Sequence, residues 1–187
     1  MRRLATVSEK RCAATRNGYT WTGSEALLPA ILHEKLFLEA TEVTSERTLL
    51  MVKPDGVRRS LVGLIITRIE QKGLVISNMR MFRMDDVFAR IFYAEHDGRD
   101  FFPTLLSFMT SGPVVALQVE SPNAIALVRT TIGATRPEDR LPGTIRADFS
   151  TQLTENVVHA SASPTDAERE LALVFGDFHA TLGTVHE

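Results

Sequence analysis

Strand-like and helix-like segments alternate along residues 47–175 of this 187-residue chain, and this alternation limits the folds open to it. Short apolar runs followed by turn residues predict strands, and apolar residues three and four positions apart predict helices. The predicted strands are 48–52, 74–84, 113–119 and 156–159, and the predicted helices are 61–72, 86–95, 101–109, 122–132 and one starting at 164. This order fits a parallel doubly wound sheet or a split βαβ sandwich with an antiparallel sheet, and periodicity does not decide between them.

Two of these helices begin with clear start signals. Ser121-Pro122 and Ser163-Pro164 each place an N-cap residue before a proline at the first helical position. Each of these two serines is therefore expected to cap its helix. Lys53-Pro54-Asp55-Gly56, which follows the first strand, predicts a turn.

Residues 1–45 differ in composition from the rest of the chain. The first twenty residues carry five basic side chains against one acid, Glu9, and residues 27–40 have the spacing of a short amphipathic helix. This composition is that of an organellar transit peptide, and equally that of a disordered tail or an over-extended gene start. We therefore expect an N-terminal extension at 1–45, disordered or targeting, and a separate domain at 46–187. The expected compartment is the cytoplasm, or a mitochondrion or plastid if the extension is a transit peptide.

Composition excludes several classes of function. Basic and acidic residues number 21 and 23, so a net charge of −2 supplies no overall basic face for nucleic acid. No window reaches the roughly eighteen apolar residues that a membrane span needs. Cys12 is the single cysteine, which rules out an internal disulfide and a zinc site made of cysteines. We expect no membrane partner and no nucleic-acid partner, and any bound anion must be held by a local basic cluster.

Four common catalytic motifs are missing. Gly18 and Gly23 have the spacing of a phosphate-binding loop, but Ser24-Glu25 follows where Lys-Ser or Lys-Thr is needed. The sequence contains no Gly-x-Gly-x-x-Gly, no Gly-x-Ser-x-Gly and no His-Glu-x-x-His. Dinucleotide binding, the common serine hydrolases and the zinc proteases therefore have no support.

The candidate nucleophile is His159, which ends a short apolar strand before a turn of small residues and a capped helix. Small neighbours leave the imidazole open, and Glu170 lies on the following helix, where its carboxylate can reach one ring nitrogen. A carboxylate that accepts from one nitrogen fixes the tautomer and leaves the other nitrogen free to attack. The alternatives are a structural histidine, and a surface glutamate that pairs with Arg169 or solvent.

Candidate anion-binding residues lie after the first strand and around a long loop. Lys53 directly precedes the Pro-Asp-Gly sequence, where its ammonium can meet a transferring phosphate as a point charge. Arg129, Thr135 and Arg146 flank the loop, and two guanidinium groups with a hydroxyl suit polyphosphate oxygens. Each of these residues alone is equally explained as a solvated side chain, so this hypothesis depends on their convergence in space.

Four motifs then bring in a known family. They are Lys53-Pro54-Asp55-Gly56-Val57, Ser111-Gly112-Pro113-Val114-Val115-Ala116, Pro142-Gly143-Thr144-Ile145-Arg146 and Asn156-x-x-His159-Ala160-Ser161. In this order they strongly resemble nucleoside diphosphate kinases, and the similarity covers about residues 46 to 175. No single motif would suffice, but four in sequence are highly specific.

The resemblance implies a ferredoxin-like βαββαβ sandwich, an α+β fold with an antiparallel sheet flanked by helices. It implies that His159 takes the γ-phosphate of a nucleoside triphosphate, mainly ATP, and passes it to a nucleoside diphosphate by a ping-pong mechanism that maintains nucleotide pools. Glu170 would orient the imidazole, Phe101 would stack on the base, and Tyr93 would lie near His159. Phosphates and sugar hydroxyls would be bound by Lys53, Arg129, Thr135, Arg146 and Asn156.

The resemblance also implies a cofactor and an assembly. Mg²⁺ would arrive on the nucleotide phosphates without a direct protein ligand, and Glu95 would help to order it through water. The partners would be ATP and other nucleoside di- and triphosphates, together with further copies of the chain in a homotetramer or homohexamer.

Two positions depart from the family pattern. Ala162 stands where the family usually has aspartate, and Ala147 stands where a glycine is usual. Ala162 lies three residues from the nucleophile, so it is expected to weaken the local hydrogen-bond network. The rival interpretations are a scaffold or binding protein on the same fold and a different phosphohistidine enzyme, such as a phosphatase.

Overall fold

The computed structural model describes residues 45–176, and the predictions for the helix at 27–40 and for Cys12 lie outside the described residues. The described strands are β1 (Glu46–Val52), β2 (Val75–Arg83), β3 (Pro113–Ser121) and β4 (Val158–Ala160). The described α-helices are α1 (Pro54–Arg58), α2 (Val62–Glu70), α3 (Asp86–Phe92), α4 (Phe102–Thr110), α5 (Ala124–Ile132), α6 (Ile145–Phe149) and α7 (Pro164–Phe175). Short 3₁₀ helices span Ala94–His96 and Pro137–Asp139.

The four strands form one sheet in the order β2-β3-β1-β4. β1 pairs along its whole length with β3 and along its last three residues with β4. Every strand pair is antiparallel, which excludes the parallel doubly wound sheet. The ferredoxin-like βαββαβ sandwich implied by the resemblance is confirmed.

Helices cover both faces of the sheet and make two apolar cores. Successive side chains of a strand point to opposite faces, so Leu49 and Met51 belong to one core and Leu50 and Val52 to the other. The first core includes residues of α3, α4 and α7, and the second includes residues of α2, α5 and α6. All four β1 side chains are fully buried, and each such burial stabilises the fold by roughly 1.5–3 kcal/mol. β1 is therefore a well-anchored support for Lys53, which follows it.

Most predicted elements are present, with ends that differ by a few residues. The helix predicted at 86–95 ends at Phe92, because Tyr93 leaves helical geometry with φ −103° and ψ 24°. The chain then continues as a short 3₁₀ helix. Among residues 45–176, no helix combines the length and the apolar character that crossing a bilayer requires.

The turn predicted at Lys53-Pro54-Asp55-Gly56 is wrong, because these residues begin α1, with Lys53 at the N-cap position. α1 lies close against the segment before β4. A Cβ on Gly56 would lie 3.0 Å from the carbonyl oxygen of Val157, and Asp55 Oδ2 accepts a hydrogen bond from Val157 N at 3.0 Å. Together with the hydrogen bond from Lys53 N to the carbonyl of Val157 at 2.8 Å, the Asp55 hydrogen bond ties the end of β1 to the segment before β4.

The N-cap role predicted for Ser121 is also wrong. Ser121 is the last residue of β3 and pairs with Glu46 of β1, so the chain stays extended through it. α5 starts at Ala124, and its N-cap residue, Asn123, makes no side-chain cap hydrogen bond. Instead, Glu46 Oε2 accepts a hydrogen bond from Ile125 N at 2.9 Å. Glu46, which is 79 positions from Ile125 in the sequence, thus caps the helix in place of the predicted Ser121.

Removing this long-range cap is expected to destabilise the domain. Glu46→Ala should lower the free energy of unfolding by about 1 kcal/mol, because the first-turn N–H of Ile125 loses its acceptor and the helix N-terminus loses a favourable negative charge. Urea unfolding monitored by circular dichroism measures the change. Glu168→Ala, at an exposed position of α7, is the control; equal losses in the two variants would contradict a capping role.

Candidate active site

A cleft of about 450 Å³ opens between the end of β1, the 3₁₀ turn after α3, the long loop after α5, and β4. All the predicted nucleotide-binding residues except Arg129 line it, together with His159. The lining residues are Lys53, Tyr93, His96, Phe101, Leu105, Thr135, Arg136, Arg146, Leu153, Thr154, Asn156 and His159. The structure therefore brings together residues that are up to 106 positions apart in the chain.

His159 is the middle residue of β4 and pairs with Met51 of β1. Its Nε2 lies 3.0 Å from Glu170 Oε2. The rings of Phe92 and Tyr93 pack edge-on against the imidazole at centroid distances of 5.4 and 5.8 Å, and the side chain remains 18% exposed. With Nε2 held by a carboxylate, the neutral imidazole carries its proton there and keeps the Nδ1 lone pair for attack.

Glu170 is buried, at 1% exposure, so the surface-glutamate alternative is wrong. It lies on the same face of α7 as Ala167 and Val174, which are also buried. Its Oε2 accepts a hydrogen bond from Ser161 Oγ at 2.8 Å, and its Oε1 lies 3.5 Å from Arg169 Nη2. The carboxylate is thus held from two further sides while it contacts the imidazole.

A local serine cap begins the helix that carries Glu170. Ser163 Oγ accepts a hydrogen bond from Asp166 N at 3.1 Å, which starts α7 where the sequence predicted. The hydrogen bonds of Glu170 form without an aspartate at position 162, since Ala162 is exposed and Ser161 supplies the hydroxyl. The expectation that Ala162 weakens this network is not supported by the contacts of Glu170.

Lys53 is buried, at 6% exposure, which excludes a solvated loop lysine. Its Nζ donates to Asn156 Oδ1 at 2.7 Å and to the carbonyl of Thr154 at 3.3 Å. Burial lowers the pKa of Lys53 to about 7; the nearby positive charge of Arg146 adds to the lowering, and Asp55 opposes it. An anion in the cleft would therefore stabilise the charged ammonium.

Arg146 connects the long loop to β4. Its guanidinium donates to the carbonyls of Gly133 at 2.7 Å and Val158 at 2.9 Å, and more weakly to Thr135 Oγ1 at 3.4 Å. Burial lowers the pKa of Arg146 to about 10, with Arg140 and Arg129 contributing. Arg146 is in the first turn of α6, which Thr144 caps by accepting from Ala147 N at 3.4 Å.

Two buried donors of the cleft residues have no hydrogen-bond partner among residues 45–176. They are Arg146 Nε and the Tyr93 hydroxyl. Burial raises the pKa of Tyr93 well above its usual range, and Glu170 and Glu95 add to the increase, so the hydroxyl keeps its proton. A buried donor without an acceptor costs roughly 1–3 kcal/mol, and a ligand oxygen would relieve that cost.

Three predicted residues lie away from the centre of the cleft. Arg129 is exposed and lines a neighbouring cavity of about 270 Å³, which shares Thr135 and Arg146 with the cleft. Phe101 is 51% exposed, which fits an aromatic platform at the rim. Glu95 is also exposed and lies outside the lining.

Glu95 forms an ion pair with Arg169 of α7. Its Oε2 lies 2.8 Å from Arg169 Nη2, and Arg169 Nη1 donates to the carbonyl of Phe92 at 3.0 Å. Within residues 45–176, no three or more histidine, cysteine, aspartate or glutamate side chains cluster as a metal site would require.

Several residues of the site were missed by sequence reasoning. His96 lies between Tyr93 and Phe101, stacked on the first at a centroid distance of 6.2 Å and edge-on to the second at 5.4 Å. Ser161 lies inside the histidine motif, so its position was a usable signal. The other missed residues had no local signal in the sequence; they are His96, Leu105, Arg136, Leu153 and Thr154.

Comparison with known proteins gives one consistent family. The family model for nucleoside diphosphate kinase matches residues 46–180. A nucleoside diphosphate kinase of Thermus thermophilus is 54% identical over 130 residues, 70% of this chain and 95% of the relative. That of Archaeoglobus fulgidus is 54% identical over 132 residues, 71% of this chain and 87% of the relative.

Solved structures give the same result. A halophilic nucleoside diphosphate kinase from Halobacterium salinarum in complex with CDP is similar, with a TM-score of 0.69 and 46% identity over 72% of this chain and 90% of that one. The nucleoside diphosphate kinase of Aquifex aeolicus is similar, with a TM-score of 0.68 and 42% identity over 71% of this chain and 96% of that one.

Proposed function

The chain belongs to the nucleoside diphosphate kinase family, and we propose that it moves the γ-phosphate of a nucleoside triphosphate, mainly ATP, to a nucleoside diphosphate through a phosphohistidine on His159. Phosphate transfer between nucleotides is the activity of this family. One observation carries the assignment of the nucleophile: His159 shares a cleft with Lys53 and Arg146 while Glu170 holds its Nε2.

In the first half-reaction, the Nδ1 lone pair of His159 attacks the γ-phosphorus. The bond between the γ-phosphorus and the bridging oxygen breaks, and the nucleoside diphosphate leaves with that electron pair. The Nε2 proton stays with the ring, where Glu170 offsets the positive charge that develops on the imidazole. In the second half-reaction, a terminal oxygen of another nucleoside diphosphate attacks the phosphohistidine and restores the imidazole.

The other cleft residues bind the nucleotide and neutralise the charge of its phosphates, which is most of what phosphoryl transfer requires of a protein. Lys53 and Arg146 supply positive charge, and their buried donors together with the Tyr93 hydroxyl offer hydrogen bonds to phosphate oxygens. Thr135 and Asn156 add polar groups for phosphate and sugar. Arg129 would join them from the neighbouring cavity.

The base would stack on Phe101 at the rim. Stacking uses the face of a base and not its hydrogen-bonding edge, so it tolerates purines and pyrimidines alike. Kinases of this kind generally need a divalent metal. Here we propose Mg²⁺ carried by the nucleotide phosphates, where it would neutralise phosphate charge, with Glu95 holding one of its waters.

Nucleotide binding is expected to take up a proton at Lys53. A phosphate near Nζ favours the ammonium and raises its pKa from about 7. At pH 8.5 the free chain then holds Lys53 mostly neutral and the complex holds it charged. The dissociation constant of ADP should therefore rise as pH increases above 7, by up to about tenfold per unit, and level off below it.

Calorimetric titration in buffers of different ionisation enthalpy measures this uptake, and Lys53→Met is the control that should lack it. Equal proton uptake in both chains would contradict the role of Lys53. In the free chain the unfolded state binds the extra proton between pH 7 and 10.5, so the contribution of this group to the free energy of unfolding rises with pH across that window.

A homotetramer or homohexamer is proposed for the assembly, in keeping with the edge strand β2. Met79 and Met81 of this strand, which share one face of the sheet, are 57% and 60% exposed, and an edge strand leaves backbone groups unpaired. Light scattering should give a mass near four or six times 20.8 kDa. Met81→Glu should shift it to a smaller species, and an unchanged mass would exclude this strand as the contact.

We also propose a cytoplasmic location and an extension, residues 1–45, that is not needed for catalysis. Deleting this segment should leave activity largely intact. If residues 1–45 are a transit peptide, fusing them to a fluorescent protein would direct that protein to a mitochondrion or plastid. A fusion that stays in the cytoplasm would support the cytoplasmic location.

The test of the proposed function is a steady-state assay with ATP, Mg²⁺ and varied GDP. Formation of GTP with parallel double-reciprocal lines is the expected ping-pong result. Release of inorganic phosphate in preference to GTP would favour the phosphatase interpretation. Nucleotide binding without transfer would favour a scaffold on the same fold.

A further inference from the structure

Arg140 joins the two sides of the long loop after α5 with four hydrogen bonds. Its Nε donates to the carbonyl of Ala134 at 3.2 Å, and its Nη2 to that of Thr135 at 2.7 Å. On the other side, Nη1 donates to the carbonyl of Ser150 at 2.6 Å and Nη2 to that of Gln152 at 2.7 Å. One side chain therefore holds two backbone segments that lie 15 to 18 positions apart.

Both segments lead directly into the cleft. Thr135 lines it, and the segment at Ser150 and Gln152 is followed by Leu153, Thr154 and Asn156, which also line it. These segments have no strand ladder to fix their separation, because residues 150–157 lie between α6 and β4. Their spacing therefore depends on side-chain hydrogen bonds, and Arg140 supplies four of them.

Arg146 also connects the loop after α5 to the chain near His159. Its guanidinium bonds the carbonyls of Gly133 and Val158, in the same way that Arg140 bonds carbonyls of the loop after α5 and of the segment after α6. Arg146 lines the cleft, whereas Arg140 is absent from the lining. Two arginines so close repel each other, and Arg140 is among the charges that lower the pKa of Arg146. The anionic phosphates of a bound nucleotide would reduce this repulsion.

We infer that Arg140 is a positioning residue for nucleotide binding, which holds Thr135 and the segment before Asn156 at the separation that the phosphates need. This inference rests on the proposed function. Arg140 acts through the backbone geometry of the loop and not through its charge, since its hydrogen bonds go to four carbonyls. A lysine keeps the charge but has three donors on one nitrogen and cannot span these acceptors.

The test compares Arg140→Met, Arg140→Lys and Arg59→Met. Arg59 is the matched control, because it is an exposed arginine outside the cleft that donates to a single backbone carbonyl, that of Phe149 at the end of α6, at 2.6 Å. Binding of ADP with Mg²⁺ by calorimetry, and kcat and KM for ATP and GDP, are measured well below each melting temperature.

In both Arg140 variants, the dissociation constant of ADP and the KM values should rise roughly tenfold. At saturation kcat should change less than about threefold, because bound nucleotide restores the loop. Arg59→Met should bind as the wild type does. Recovery of affinity in Arg140→Lys would show an effect of charge, and unchanged binding in Arg140→Met would show no role; either result overturns the inference. Failure of the proposed function would appear in the wild-type chain, whereas failure of this inference would appear only in the variants.

Discussion

His159→Ala is expected to lose γ-phosphate transfer, with kcat reduced on the order of 10⁴-fold or more. In the proposed mechanism the His159 imidazole forms the covalent intermediate, so its removal abolishes both half-reactions. Nucleotide binding should survive, because Lys53, Arg146 and Asn156 keep their contacts. The measurements are GTP formation from ATP and GDP, and calorimetric binding of ADP.

The matched control is His33→Ala, which removes a histidine of the extension and should leave transfer unchanged. Replacing His159 removes its ring contacts and one partner of the buried Glu170, so the melting temperature should fall, and both assays are run well below it. Transfer by His159→Ala within tenfold of the wild type would assign the nucleophile elsewhere. Loss of ADP binding along with transfer would show that the variant had lost more than the nucleophile.

Glu170→Ala is expected to have the second largest effect, a fall in kcat of about 10²- to 10³-fold. Without the carboxylate, nothing holds the proton on Nε2 or offsets the charge that develops on the ring during attack. The fully buried Ser161 Oγ also loses its acceptor, so a lower free energy of unfolding should accompany the kinetic change.

Glu170→Gln separates these two effects. Its amide oxygen can still accept from Nε2, so the tautomer is retained while the negative charge is lost. The expected kcat is intermediate, with ADP affinity within about twofold of the wild type. Single-turnover labelling of His159 measures the chemical step directly. A Glu170→Gln rate equal to the wild-type rate would mean that the charge of Glu170 does not assist transfer, and Glu168→Ala controls for changes on α7.

Local patterns predicted the elements, and long-range pairing decided their ends. The Ser163 cap was predictable because its acceptor and donor lie three residues apart. The Ser121 cap failed because β3 pairs with β1 through that residue, and Glu46 then reached the helix instead. Strand direction was likewise beyond periodicity, since the same spacing of apolar residues serves parallel and antiparallel sheets.

In the site, too, some features could be predicted from local sequence and others depend on residues distant in the chain. His159, Lys53, Arg146 and Asn156 belong to motifs that are contiguous in sequence, so resemblance sufficed to find them. The hydrogen-bond partners of the buried Lys53 ammonium, Thr154 and Asn156, lie 101 and 103 positions away in the sequence, so the burial that lowers its pKa has no local signal. The four carbonyls that Arg140 bonds could not be predicted either, because a backbone acceptor leaves no mark in the sequence.

Transfer through a phosphohistidine on His159 is tested by incubating the wild type with γ-labelled ATP and Mg²⁺, isolating the protein, and adding unlabelled GDP. The expected result is acid-labile, base-stable label on His159, absent from His159→Ala and discharged onto GDP as GTP. A wild-type protein that takes up no label, or that releases it only as inorganic phosphate when GDP is present, would contradict this mechanism.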